Sequence, residues 1–331
     1  MREIDIAEAR PRSRTAGLAA AARLVRGARL SPLEVVALVI FAVILFLALF
    51  GPRIAPYPTE TANPLLRLLA PSRAHLLGTD VNGMDIWSRL LAAPRTDVFI
   101  AVVATGLSVL VGAPLGVIAG YFEGNRRRLS SLVGEGIMRL LDVIQAFPVF
   151  IFAMVLVAIR GANVVNIVAA VAFVNMPVFL RLVRGEVLQL RDQPFAEAAR
   201  VVGNSDLQIG FKHLLPNALP PLVVQISVTV GFAILLTAGL SFVGAGIAPP
   251  TPELGNMISE GAKFMITGQW WPSLFPGIAL GIIVFTFGVV GETVGRLLQP
   301  GGRAARERGG DLNVGAQQAV ADMVQEKRGV S

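Results

Sequence analysis

The sequence predicts an all-α membrane protein with six transmembrane helices and both termini in the cytoplasm. Three observations lead there. Hydrophobic residues make up 54% of the 331, and charged residues only 15%, where a soluble domain averages roughly 25% charged. Six stretches approach the ~20 mostly apolar residues that a bilayer core requires of a helix. The basic residues that separate those stretches are divided unevenly between the two sides.

Taken in order, residues 1–32 form an Ala-, Arg- and Gly-rich tail with no amphipathic stripe, read as solvated. The first span covers 33–50, within a segment ending at 52. Its apolar run is long and no small-residue cleavage pattern follows it, so it is an anchor rather than a removable leader. Residues 53–95 form an outer segment. A five-helix core then occupies 96–298, with spans over 98–122, 133–159, 164–183, 219–243 and 274–294. Residues 299–331 form a second solvated tail. With the N-terminus inside, the inner connections hold 21 Lys and Arg and the outer ones 7, which places both termini in the cytoplasm.

Several spans carry glycine at spacing four: Gly112, Gly116 and Gly120, then Gly277 with Gly281, and Gly291 with Gly295. Such ladders let helix backbones approach closely in lipid. Pro114, Pro148 and Pro177 interrupt spans and tend to bend them. Arg139 and Asp142 lie three apart on one face of the third span, spaced to pair. Asn175, Gln225 and Thr237 are candidates for a polar path or for interhelical hydrogen bonds. Glu292 and Arg296 are spaced to pair at the end of the last span.

Composition excludes several function classes. The chain has no cysteine and two histidines, His75 and His213, so it offers no thiolate chemistry and little for a metal centre. Its net charge is +7, but the basic residues flank apolar runs and form no aromatic-and-basic stripe, which argues against nucleic acid. A phosphate-cradling loop needs a Gly-Lys pair. Lys212, Lys263 and Lys327 are the only lysines and none follows a glycine, so ATP is not bound here in that way.

The connection between spans four and five is the most specified part of the chain. Pro194 suits the first turn of a helix running to 202. Gly203 suits a left-handed corner. Ser205 and Gln208 fit a capping box, so a second helix starts near Asp206 and runs to about Leu215, with Pro216 as its stop. A helix, a corner and a second helix feeding directly into a span have the build of a lever, and the spacing fits equally an amphipathic pair lying on the membrane surface.

The same residues carry a resemblance. Glu197-Ala198-Ala199, three residues, Gly203, and then Leu215-Pro216 match the cytoplasmic signature of type I ABC importer permeases. His213 to Asn217 reads HLLPN, the form typical of the peptide-permease subgroup. HLLGTDVNGMDIWSRLL at 75–91 is similar to an outer segment of that subgroup, although Met84 stands where arginine is usual and APR at 93–95 where GAR is usual. GVIAGYFEG at 116–124, MRLLDVIQAFP at 138–148, LSFVGAGIAPPTPELGNMI at 240–258 and WWPSLFPGIAL at 270–280 extend the resemblance over about 33–300. It is closest to the C-type subunit of dipeptide, oligopeptide and nickel importers.

The resemblance implies the type I ABC importer permease fold and a non-catalytic subunit forming half of a translocation path in the bacterial cytoplasmic membrane. It implies a second homologous permease, two ABC subunits that bind ATP and Mg, and an extracytoplasmic binding protein. No cofactor belongs to this chain. Coupling helices at 194–216 would dock on the ATPases. There Glu197 would fix the helix pair by capping backbone or pairing with a basic neighbour, Ala198 and Ala199 would allow close docking, and Gly203 would make the corner. Leu215 and Pro216 would seat and end the second helix, and His213 would mark the subgroup. The cargo is expected to be di- or oligopeptides, with nickel chelates, opines or oligosaccharides as alternatives. The competing class, an autonomous ion-coupled transporter or channel, needs intramembrane charge, and the span centres here are nearly free of it.

Overall fold

The computed structural model describes residues 30–123 and 128–298. Both tails, and the arginines at 126 and 127, lie outside the described residues. Long helices are α1 (Pro32–Ile54), α2 (Ile86–Phe122), α3 (Arg128–Gln145), α4 (Val149–Arg160) and α5 (Val164–Leu190). Two short helices follow, α6 (Pro194–Val201) and α7 (Asp206–Gln208), then α8 (Leu219–Phe242), α9 (Leu254–Ala262) and α10 (Trp271–Leu298). Among the described residues no strand forms beyond one isolated bridge, Thr79 to Asp85. The chain divides into a main unit, Val36–Gly295, and a small one made of the terminal portions Met1–Val35 and Arg296–Ser331. In the small unit Arg296 pairs with Glu34, not with Glu292 as its spacing suggested.

Among the described residues, five helices are long and apolar enough to cross a membrane, or six if α3 and α4 count as one span. The third expected span is therefore not a straight rod. Gly134–Gln145 and Val149–Arg160 meet at 85°. Pro148 stands just before α4, where it lacks an N–H and forces Phe147 out of helical geometry.

α2 begins at residue 86, before the apolar run, because Asp85 caps it: the Ser88 N–H donates to Asp85 Oδ2 at 2.8 Å. The body is built on the pairing of α2 with α5, which run the same way. Ser108 Oγ donates to Ala172 O at 2.8 Å. One turn further at each step, a Cβ added at Gly112, Gly116 or Gly120 would lie 2.6, 2.6 or 2.8 Å from the carbonyl oxygen of Met176, Leu180 or Arg184. Both helices thus advance in steps of four, and only glycine fits the last three steps. The ladders of α10 divide. Gly291 and Gly295 face Ser227 and Val224 of α8, whereas Gly277 and Gly281 have nothing within 4 Å. That second pair meets no neighbouring element among the described residues.

One apolar core joins α2, α4, α5, α8 and α10 around Ala101, Val171, Ala233 and Phe287. A second lies at the other end of α2, where Val117, Tyr121, Val183 and Val187 enclose Ala196, Ala199, Ile209 and Leu214. The loop 194–217 thus sits at one end of the body, the loop end. Residues 55–85 and 243–270 gather at the opposite, cap end.

Candidate functional site

The loop end has the expected corner. Gly203 adopts φ +91°, open to glycine and strained for other residues. Its N–H donates to Arg200 O at 3.0 Å and that of Asn204 to Ala199 O at 3.2 Å. Ser205 and Gln208 form the full capping box. Beyond it the chain winds through a π-type turn, Ile209–Leu214, and one turn, Leu215–Asn217, into α8. Pro216 therefore does not stop the second helix but interrupts its ladder, and the Asn217 side-chain amide donates to His213 O at 2.6 Å. Leu215 packs at the edge of the loop core. His213 Nε2 is buried with no hydrogen-bond partner among the described residues.

The loop is amphipathic. Ala196, Ala199, Ile209 and Leu214 point into the body. Ala199 is thus committed to its own chain, and of the two signature alanines only Ala198 faces outward. Glu197 is exposed in the first turn of α6, where the helix dipole favours it, and it makes no ion pair among the described residues. Val201 and Val202 are 88% and 83% exposed on the corner, and Leu207 in α7 is exposed as well.

The polar residues of the spans do not form the expected pairs. Asp142 pairs with Arg181 of α5 at 2.7 Å, both exposed, not with Arg139. Gln225 donates to Thr229 Oγ1 at 3.1 Å within its own helix. Asn175 is 2% exposed and its Nδ2 has no partner among the described residues, as is true of Thr237 Oγ1.

The cap end holds a charge network that sequence reasoning did not single out. Arg89 is 0% exposed. Its Nη1 donates to Thr59 O at 3.1 Å, Met84 Sδ at 2.9 Å and Pro250 O at 3.1 Å, and its Nε lies 3.4 Å from Asp80 Oδ2. Asp80 Oδ1 accepts from the Asn82 and Met84 amides. His75 Nδ1 meets Asp85 Oδ1 at 2.9 Å. Met84, which stands where the resemblance has arginine, joins the network through its sulfur. Burial raises the Asp80 carboxyl above its ordinary range, against the opposing pull of Arg89. Across the cap, Glu253 caps α9 by accepting from the Gly255 and Asn256 amides. Buried Asp97 accepts from Leu254 N at 3.3 Å. Burial also raises Glu253, with those two amides acting against it. The GTDVNGMD turn is a local signal that could have revealed Asp80 and Asp85. The Asp97 and Glu253 partnership spans too much sequence to be read.

Residues 112–303 match a family profile described as "Binding-protein-dependent transport system inner membrane component". Residues 26–71 match the N-terminal transmembrane domain of oligopeptide transport permease C. The chain belongs to the binding-protein-dependent transport permease family. This permease is 36% identical to the dipeptide transport system permease protein DppC of Alkalihalophilus pseudofirmus, over 81% of its own length and 86% of the relative. It is 34% identical to the probable D,D-dipeptide transport system permease protein DdpC of Escherichia coli, over 84% and 91%. It is 36% identical to the glutathione transport system permease protein GsiD of Pectobacterium atrosepticum, over 77% and 82%. In fold it matches an inward-facing structure of the MetNI methionine ABC transporter, with TM-score 0.54 at 20% identity, covering 64% of the permease and 97% of that chain. The permease is accordingly a multi-pass, non-catalytic subunit of an ABC importer. Family and fold imply ATPase partners and a substrate-binding protein.

Proposed function

We propose that this permease is the C-type subunit of an ATP-driven importer of di- or oligopeptides in the bacterial cytoplasmic membrane. Its loop end faces the cytoplasm and its cap end faces out, in keeping with the 21 to 7 division of basic residues. It pairs with a second, homologous permease to enclose the path. Two ATPase subunits bind ATP and Mg, and each permease loop inserts into one of them. An extracytoplasmic binding protein delivers cargo to the cap end. The observation that carries the reading is the corner at 201–203. Two adjacent, almost fully exposed valines stand on a backbone held by Gly203 and rooted in the apolar core. An apolar tip on a rigid base is what a cleft in a partner grips, and a push on it is delivered to the spans. Glu197 and Ala198 are the outward-facing signature residues of that contact. The peptide cargo is supported by the names of the relatives.

The test is a mild-detergent pull-down of tagged chain from its native membrane, with captured proteins identified by mass spectrometry. A second permease and ATPase subunits are expected. In parallel, Gly203→Asp is expected to leave the chain inserted while peptide uptake is lost. Capture of this chain alone, under conditions that hold related complexes together, overturns the reading.

A further inference from the structure

The loop between α5 and α8 is bonded to a third helix, α2, that is not its neighbour in sequence. The Tyr121 hydroxyl, near the end of α2, donates to Asp206 Oδ1 at 2.8 Å. The Arg200 guanidinium lies over the Tyr121 ring, 6.0 Å from its centroid, and its Nη2 donates to Arg191 O at 2.9 Å. Arg191 in turn donates to Gly120 O at 3.0 Å and to Glu123 O. Glu123 receives both Nε and Nη2 of Arg184 at 2.6 Å, a bidentate pair that holds its carboxyl below the usual range. A Cβ at Gly210 would come 2.8 Å from Val117 Cγ1. Both arms of the lever, α6 through Arg200 and α7 through Asp206, therefore hold the same tyrosine.

The opposite end of α2 is bonded to the cap. Arg89 reaches Pro250 O and Asp97 reaches Leu254 N, on the segment that enters α9. Both attachments lie on α2, one helix of 37 residues, about 55 Å long at 1.5 Å per residue. It is also the helix fitted to α5 by the glycine ladder, so its sideways freedom is small. We infer that α2 is the rod that carries loop movement to the cap, and that Tyr121 is the positioning residue joining rod to lever. The inference rests on the coupling role proposed above. A buried ring alone would satisfy packing. The hydroxyl adds a directed bond to a carboxylate, stronger than a neutral one, which obliges the end of α2 to follow when α7 moves.

The experiment uses the purified complex with its ATPase and binding-protein subunits, carrying Tyr121→Phe, Asp206→Asn or both. Amide hydrogen exchange over α9, with and without ATP, reads the cap. Stimulation of ATP hydrolysis by loaded binding protein reads the coupling. Tyr121→Phe keeps the ring, so assembly and unstimulated hydrolysis are expected to persist. The ATP-dependent change in α9 exchange and the stimulation are expected to fall about fivefold or more, the lower end for energetic coupling between sites. Asp206→Asn is expected to do the same, and the double variant no more than either. Assembled variants that respond like the parent overturn the inference. Failure of both variants to assemble also overturns it, because the bond is then structural. A parent chain that recruits no ATPase overturns the coupling reading itself, and the rod with it.

Discussion

Arg89 shows how much a single residue decides at the cap. Its guanidinium is wholly buried, ties Thr59, Met84 and Pro250 together, and faces Asp80. Removing one partner of a buried pair leaves a charge with neither water nor counter-charge, at about 3–5 kcal/mol. Arg89→Ala is therefore expected to lower the thermal unfolding temperature of the purified complex markedly. The double change Asp80→Asn with Arg89→Met is expected to lower it less, since no unpaired charge remains. At the loop end the same scale separates neighbours that look alike in sequence. Ala198 is exposed and Ala199 buried, because consecutive helical residues point about 100° apart and the body occupies one side only. The corner at Gly203 and the Ser205 box were legible, since both depend on backbone rules acting within a few residues. Tyr121 was not: its partner Asp206 lies 85 positions away.

Among the elements, the α2–α5 pair is the framework. The ladder Gly112, Gly116, Gly120 was visible as spacing, and the structure supplies its counterpart, the carbonyls of Met176, Leu180 and Arg184. Gly116→Val would place a Cβ 2.6 Å from Leu180 O and 2.9 Å from Val183 Cβ, inside hard contact with backbone that cannot swing away. Overpacking of this kind costs about 1–3 kcal/mol or more. The variant is expected to enter the membrane yet become sensitive to protease and lose assembly with its partners. Gly277→Ala meets nothing within 4 Å among the described residues, so the fold of the isolated chain is expected to be unchanged. The α3–α4 break was only partly legible. Pro148 marks a bend, but a proline within a helix does not state its angle; Pro114 and Pro177 sit inside helices that continue unbroken. The 85° turn at Pro148 is where α3, amphipathic and carrying Arg139 and Asp142, parts from the apolar α4.

At the level of the whole molecule, the loop end and the cap end are two different chemistries on one helical body. Because the chain contains no cysteine, its sidedness has a direct test. Val201→Cys and Ile266→Cys introduce single thiols at sites 88% and 93% exposed, one at each end. A membrane-impermeant maleimide applied to spheroplasts is expected to label Ile266→Cys at once and Val201→Cys only after permeabilisation. The reverse pattern would invert the orientation and remove the loop from the ATPase side. By itself the sequence determined the class, the number of apolar segments, the corner and the glycine spacing. Each follows from hydropathy or from backbone geometry within a few residues, and bilayer thickness turns hydropathy into spans. Only the tertiary structure decided that the third span breaks, that Asp142 chooses Arg181, that Arg89 is buried against Asp80, and that Tyr121 joins α2 to the loop. Those outcomes depend on which helices lie side by side, and close packing selects that from many registers that local pattern leaves equal.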